Sequence, residues 1–107
     1  MKTTIKYVSE GIVYGNFWGG GKGSYAAEKL GADTKEELLN NANHHLKTGG
    51  LDSGMGYESL IGALLSITKI TTKVIQGKSY TNEETELEFI GDLTEEEMEF
   101  LENCYGY

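Results

Sequence analysis

The 107 residues include 17 acidic and 9 basic side chains, for a formal net charge of −8, with 38% hydrophobic and 10% aromatic residues. That length suits one domain, 1–107, with a single modest core, and excludes a two-domain enzyme closing over a cleft. No apolar run approaches the roughly 18 residues of a membrane-spanning helix, and a lone Cys104 excludes an internal disulfide framework.

The charge is unevenly distributed. Residues 1–50 hold six lysines against five acids, whereas residues 51–107 hold three lysines against twelve acids. Ten of the acids fall between Glu83 and Glu102, and no lysine or arginine follows Lys78. Such a field repels nucleic acid and anionic membranes unless the basic minority gathers on one face, and it steers the chain towards basic partners. The N-terminal MKTTIKYVSE has no apolar stretch behind its lysines, so no secretory signal is expected and the cytoplasm is the default location.

In chain order, TTIKYV (3–8) and IVYGNFW (12–18) are rich in β-branched and aromatic residues, and Glu10-Gly11 between them predicts a hairpin turn. Gly19–Gly23 is expected to be a mobile turn following a strand edge at Tyr14 to Trp18. Residues 24–30 are read as a strand in preference to a helical turn. Thr34-x-x-Glu37 is a capping box, and Leu38, Leu39, Ala42 and Leu46 fall in one arc, predicting a helix over about 35–47 that Gly49-Gly50 ends. Residues 57–65 suit either a buried helix or a strand. SITKITTKVI (66–75) reads as a strand, and the opposite parities of Ile67 and Ile70 call for a bulge or for cover on both faces. Gln76-Gly77-Lys78 is a turn. The strict alternation beyond it places Thr85, Leu87 and Phe89 inward and Glu84, Glu86 and Glu88 outward. A second capping box, Thr94-x-x-Glu97, with Leu93 and Met98 as a hydrophobic staple, opens a helix over about 95–104. On that helix Met98, Leu101 and Tyr105 face inward, and Glu95, Glu99 and Glu102 outward. The expected fold is α+β: an antiparallel sheet of two hairpins, with a further strand left open, covered on one face by both helices.

The chemical motifs are mostly near misses. GNFWGGGKG (15–23) resembles a phosphate-binding loop, but Asn16 stands where the first glycine belongs and Gly23 where the hydroxyl residue belongs. Gly21-x-Gly23-x-x-Ala26 lacks the strand–helix–strand setting of a dinucleotide site. What remains is an alternative ligand site in which Trp18 and Tyr25 stack and Lys22 supplies charge. His44 and His45 are adjacent, so on a helix they project about 100° apart and do not share a metal in the usual i, i+4 manner. One is expected at the edge of the apolar arc and the other exposed. Cys104 lies near a helix C-terminus among acids, which disfavours a thiolate, and is expected to be a small buried hydrophobe. No catalytic residue, metal or cofactor is expected.

The acidic quarter is the better candidate site. Glu84, Glu86 and Glu88, spaced about 6.5–7 Å apart on a strand, and Glu95, Glu99 and Glu102 on the helix would form neighbouring rows of carboxylates that imitate phosphate charge. In its size, acidity, absence of proline and missing catalytic motifs, the whole chain resembles the small anti-CRISPR and anti-restriction proteins of phages and mobile elements. The resemblance implies a non-enzymatic inhibitor acting in the host cytoplasm, which occupies the nucleic-acid groove of a basic defence effector without binding nucleic acid or membrane itself. A third expectation is self-association through Tyr105-Gly106-Tyr107.

Overall fold

A computed structural model describes residues 2–51 and 57–105. Five strands, β1 (Lys2–Phe17), β2 (Lys22–Ala26), β3 (Leu30–Ala32), β4 (Tyr57–Ile75) and β5 (Lys78–Gly91), form one antiparallel sheet with helices α1 (Lys35–Thr48) and α2 (Glu95–Cys104). The order is β2-β1-β4-β5, with β3 beside β2 on the same flank of β1. This is the expected α+β class. No helix among the described residues is long and apolar enough to cross a membrane.

The predicted first hairpin is not formed. β1 passes through Glu10-Gly11 without turning, pairing β4 from Lys2↔Val74 to Phe17↔Tyr57. Gly11 is needed for close approach instead, since a Cβ there would collide with the Leu64 carbonyl oxygen. The chain reverses at Trp18–Gly21, where Gly19, Gly20 and Gly21 all have positive φ and the Phe17 amide donates to the Gly21 carbonyl at 3.0 Å. Tyr14–Phe17 is therefore not a strand edge: it lies within the sheet, with β2 on one side and β4 on the other. The 24–30 segment divides into the end of β2, a link, and β3.

Residues 57–75 are a single strand of 19 residues. Ile67 is buried on the α1 face and Ile70 half-buried on the other, and the strand runs through both without a register shift. The register shifts between β1 and β4 fall between Tyr14 and Gly15 and between Asn16 and Phe17 instead. β4 and β5 join through Gln76 (φ 49°) and Gly77 (φ 79°), the two positive-φ residues of a tight hairpin turn.

Both helices begin where the capping boxes predict. Thr34 Oγ1 accepts from the Glu37 amide at 3.1 Å, and Gly49 closes α1 in the left-handed conformation. At α2 both halves of the box are made, with the Thr94 amide donating to Glu97 Oε1 at 2.9 Å and the Glu97 amide to Thr94 Oγ1 at 3.2 Å. The helices do not share a face as expected. Leu38, Ala42 and Leu46 of α1 pack with Val13, Ala63, Leu65, Ile67 and Ile90, all of one parity on their strands. α2 and its approach contact the other parity: Phe100 meets Tyr14 edge-on at 5.6 Å between ring centroids, and Leu93 sits against Gly62. Leu64 and Leu101, both fully buried, stand outside the α1 cluster. Alternation identifies which residues share a face; it does not say which face a distant helix will cover.

The molecule measures 58 × 27 × 20 Å, with a radius of gyration of 15.8 Å, against about 13 Å for a compact globule of this length. The elongation comes from β1, β4 and β5, which run beyond both helices as a three-stranded arm. Its far end comprises Lys2–Lys6, Lys69–Ile75 and Lys78–Glu84.

Candidate functional site

All six residues of the predicted acidic site lie on β5 and α2. β5 pairs β4 alone, so among the described residues its outer side is a free edge reachable from both faces. The register Lys69↔Glu84, Ile67↔Glu86, Leu65↔Glu88 places Glu84, Glu86 and Glu88 on the face that carries α1, while Thr85, Leu87 and Phe89 take the α2 face. Glu84 and Glu86 are exposed and Glu88 half-buried, while of the predicted inward set Thr85 and Leu87 are exposed and Phe89 half-buried, so the expected contrast between the two sets is not formed. α1 covers that face only as far as its own length allows, so the carboxylates beyond its first turn stay accessible. Thr85 instead meets Thr68 across the sheet, with 3.0 Å between their hydroxyl oxygens.

Two of the three strand carboxylates are engaged. Lys35, in the first turn of α1, donates to Glu88 Oε1 at 2.8 Å and forms an ion pair with Glu86. Hydrogen bonds to Glu86 and then Glu88, with their charges adding, hold the Lys35 ammonium well above its ordinary pKa of 10.5. A catalytic amine needs the opposite shift, so Lys35 is a clamp between α1 and the β5 edge. The signal for it was in the sequence: a lysine in a helix's first turn opposes the macrodipole and implies a carboxylate elsewhere.

Glu95, Glu99 and Glu102 are exposed on α2, on the other side of the sheet from Glu84, Glu86 and Glu88. The two rows are therefore not neighbours. They belong to two surfaces that meet only around the β5 edge, where Glu83 faces the α2 side and Glu84 the α1 side. Glu97 is half-buried and taken up by its cap.

The glycine-loop residues do not converge. Trp18 is 69% and Tyr25 47% exposed, but Tyr25 pairs with Val13 and Lys22 with Asn16, residues of opposite parity on β1, so their side chains leave opposite faces. His44 is exposed and His45 half-buried, as expected, with their rings 5.7 Å apart. Cys104 is exposed rather than buried, because Leu101 and Tyr105 take the inner positions of the last turn. Gly106 and Tyr107 lie outside the described residues. No group of three metal-ligating side chains occurs among those described.

A depression of about 280 Å³ lies beyond the N-terminus of α1, lined by Tyr7, Lys35, Ile67, Lys69, Glu84 and Glu86. It falls just below the range usual for small-molecule sites and sets two lysines against two glutamates. The sequence reading missed the placement of the remaining lysines: Lys2, Lys6, Lys69, Lys73 and Lys78, five of the nine, all lie on the arm. They are dispersed along the chain, and only the pairing of β1, β4 and β5 gathers them. In comparisons with protein-family models, curated proteins and solved structures, the chain matches none.

Proposed function

We propose that this is a non-enzymatic binding protein whose acidic β5 edge and α2 surface engage a basic partner, the carboxylates standing in for phosphates in a nucleic-acid-binding groove. The observation that carries the reading is the set of acids left over: Glu84, Glu95, Glu99 and Glu102 are exposed and make no ion pair among the described residues, while Glu86 and Glu88 are held by Lys35. Like charges so concentrated cost stability unless a partner neutralises them. The anti-defence role implied by the resemblance to phage inhibitors falls within this reading, with the basic effector as the protein that is blocked.

The test is an affinity capture from native host lysate, washed at low and high salt, with wild type beside Glu84→Lys and Glu99→Lys. Both positions are exposed and neither carboxylate pairs with Lys35; Glu99 lies on α2, and Glu84 lines the depression beside the clamp. A specific partner is retained at low salt, released at high salt and lost with either charge reversal. A partner retained equally by both variants refutes the proposal.

A further inference from the structure

We propose that a second copy of this chain docks head to tail, the far end of one molecule's arm lying on α2 of the next. The inference goes beyond the proposed function by assigning the arm, and rests on it in one respect: that the α2 carboxylates form a docking surface. It begins with the arm's charge. Lys2–Lys6, Lys69–Ile75 and Lys78–Glu84 contain five lysines and two acids, Glu83 and Glu84, which stand opposite Ile70 and Lys69 at the base of this stretch. The Lys73↔Tyr80 pair lies three and four residues along β4 from Ile70↔Glu83 and Lys69↔Glu84, about 10–14 Å at 3.4 Å per residue. That exceeds one Debye length at physiological salt, and Lys2, Lys73 and Lys78 lie beyond those acids, so the charge at the tip itself is positive.

The tip is also apolar. On one face Ile75 stands opposite Lys78 and Tyr80 opposite Lys73, with Ile5 on the neighbouring strand. Ile5 is 41%, Ile75 40% and Tyr80 54% exposed. A nucleic-acid backbone would satisfy the lysines but leave the isoleucines uncovered. The complement of this face is acidic and apolar together, and the chain carries such a surface on α2. Glu96, Glu99 and Phe100, at i, i+3 and i+4, share one side of that helix, with Phe100 43% exposed. An arm has no access to its own α2, which packs on the opposite face near Gly62, eleven residues or about 37 Å along β4 from Lys73. The contact is therefore between molecules. A ten-residue helix is about 15 Å long, too short for a standard interface of about 800 Å² per partner, so the association is weak, concentration-dependent and salt-labile.

The experiment is sedimentation velocity of the full chain over a concentration series, in low and high salt. Wild type shows a sedimentation coefficient that rises with concentration in low salt and not in high salt. Lys73→Glu/Lys78→Glu, and separately Glu96→Lys/Glu99→Lys, each stay monomeric, because each makes arm and helix alike in charge. Mixing the two variants restores association, the reversed arm of one meeting the reversed helix of the other. Both variants keep a net negative charge, so bulk attraction does not explain the rescue. Tyr80→Ala, which changes no charge, also weakens wild-type association. The inference is overturned by a wild type that stays monomeric throughout, by a mixture that stays monomeric, or by a monomeric chain whose arm instead binds a single-stranded oligonucleotide. A foreign partner that the charge-reversed variants retain as well as wild type does, with wild-type self-association intact, counts against the proposed function and not against this inference.

Discussion

The division of the core between two sheet faces has a measurable consequence. Ile67 and Leu38 belong to the α1 cluster, whereas Leu101 is buried on the α2 side. Leu38→Ala and Leu101→Ala each remove a fully buried side chain, with an expected loss of about 2–5 kcal/mol, and Ile67→Val one of about 0.5–1.5 kcal/mol. Two double-mutant cycles share the Ile67→Val arm. With Leu38→Ala the two cavities open within one cluster, and a coupling of about 0.5 kcal/mol or more is expected. With Leu101→Ala the sheet lies between the sites, they share no partner, and the effects add to within about 0.3–0.5 kcal/mol. Urea unfolding followed by far-ultraviolet circular dichroism measures each ΔG, provided the m-values agree across the set. If Leu101 couples to Ile67 as strongly as Leu38 does, the two helices share one core and the assignment to opposite faces is wrong.

Three further outcomes follow from particular contacts. Thr94→Ala removes the hydroxyl arm of the α2 capping box, leaving the backbone Thr94 amide to donate to Glu97, and is expected to cost about 1 kcal/mol, read as a lower urea midpoint, with Thr94→Ser restoring most of it. Gly62→Ala drives a Cβ into Leu93 and the Ile90 carbonyl oxygen and should cost about 1–3 kcal/mol; an unchanged midpoint would show that the α2 approach is not seated on Gly62. For Lys35 the folded pKa lies above the unfolded value of 10.5, so its contribution is complete below pH 10.5 and is lost as pH rises from there through the folded value. Lys35→Met should therefore be less stable than wild type at pH 7 and show a shallower alkaline decline, measured by denaturant titration at several pH values.

Much of the local structure was legible in the sequence because it depends on neighbours in the chain. Thr34 and Thr94 opened helices because a hydroxyl and an amide three residues apart need no tertiary help, and Gln76-Gly77 turned because the turn is its own structure. Glu10-Gly11 misled because a glycine between two strand-like runs reads the same whether it supplies a turn or makes room for the Leu64 carbonyl. Cys104 misled because burial in the last helical turn depends on where Leu101 and Tyr105 are seated. Within the candidate site, the concentration of acids was visible from composition, while their division between two surfaces was not.

By itself, the sequence determined composition, the charge gradient, the two capped helices and the alternation along β5, all properties carried by residues within a few positions of one another. The tertiary structure alone decided that α1 and α2 take opposite faces, that Lys35 crosses to Glu86 and Glu88, and that Lys2, Lys6, Lys69, Lys73 and Lys78 meet on one arm. These three results depend on strand register. Register brings together residues that are dozens of positions apart, and a shift of one position exchanges every side chain between the faces.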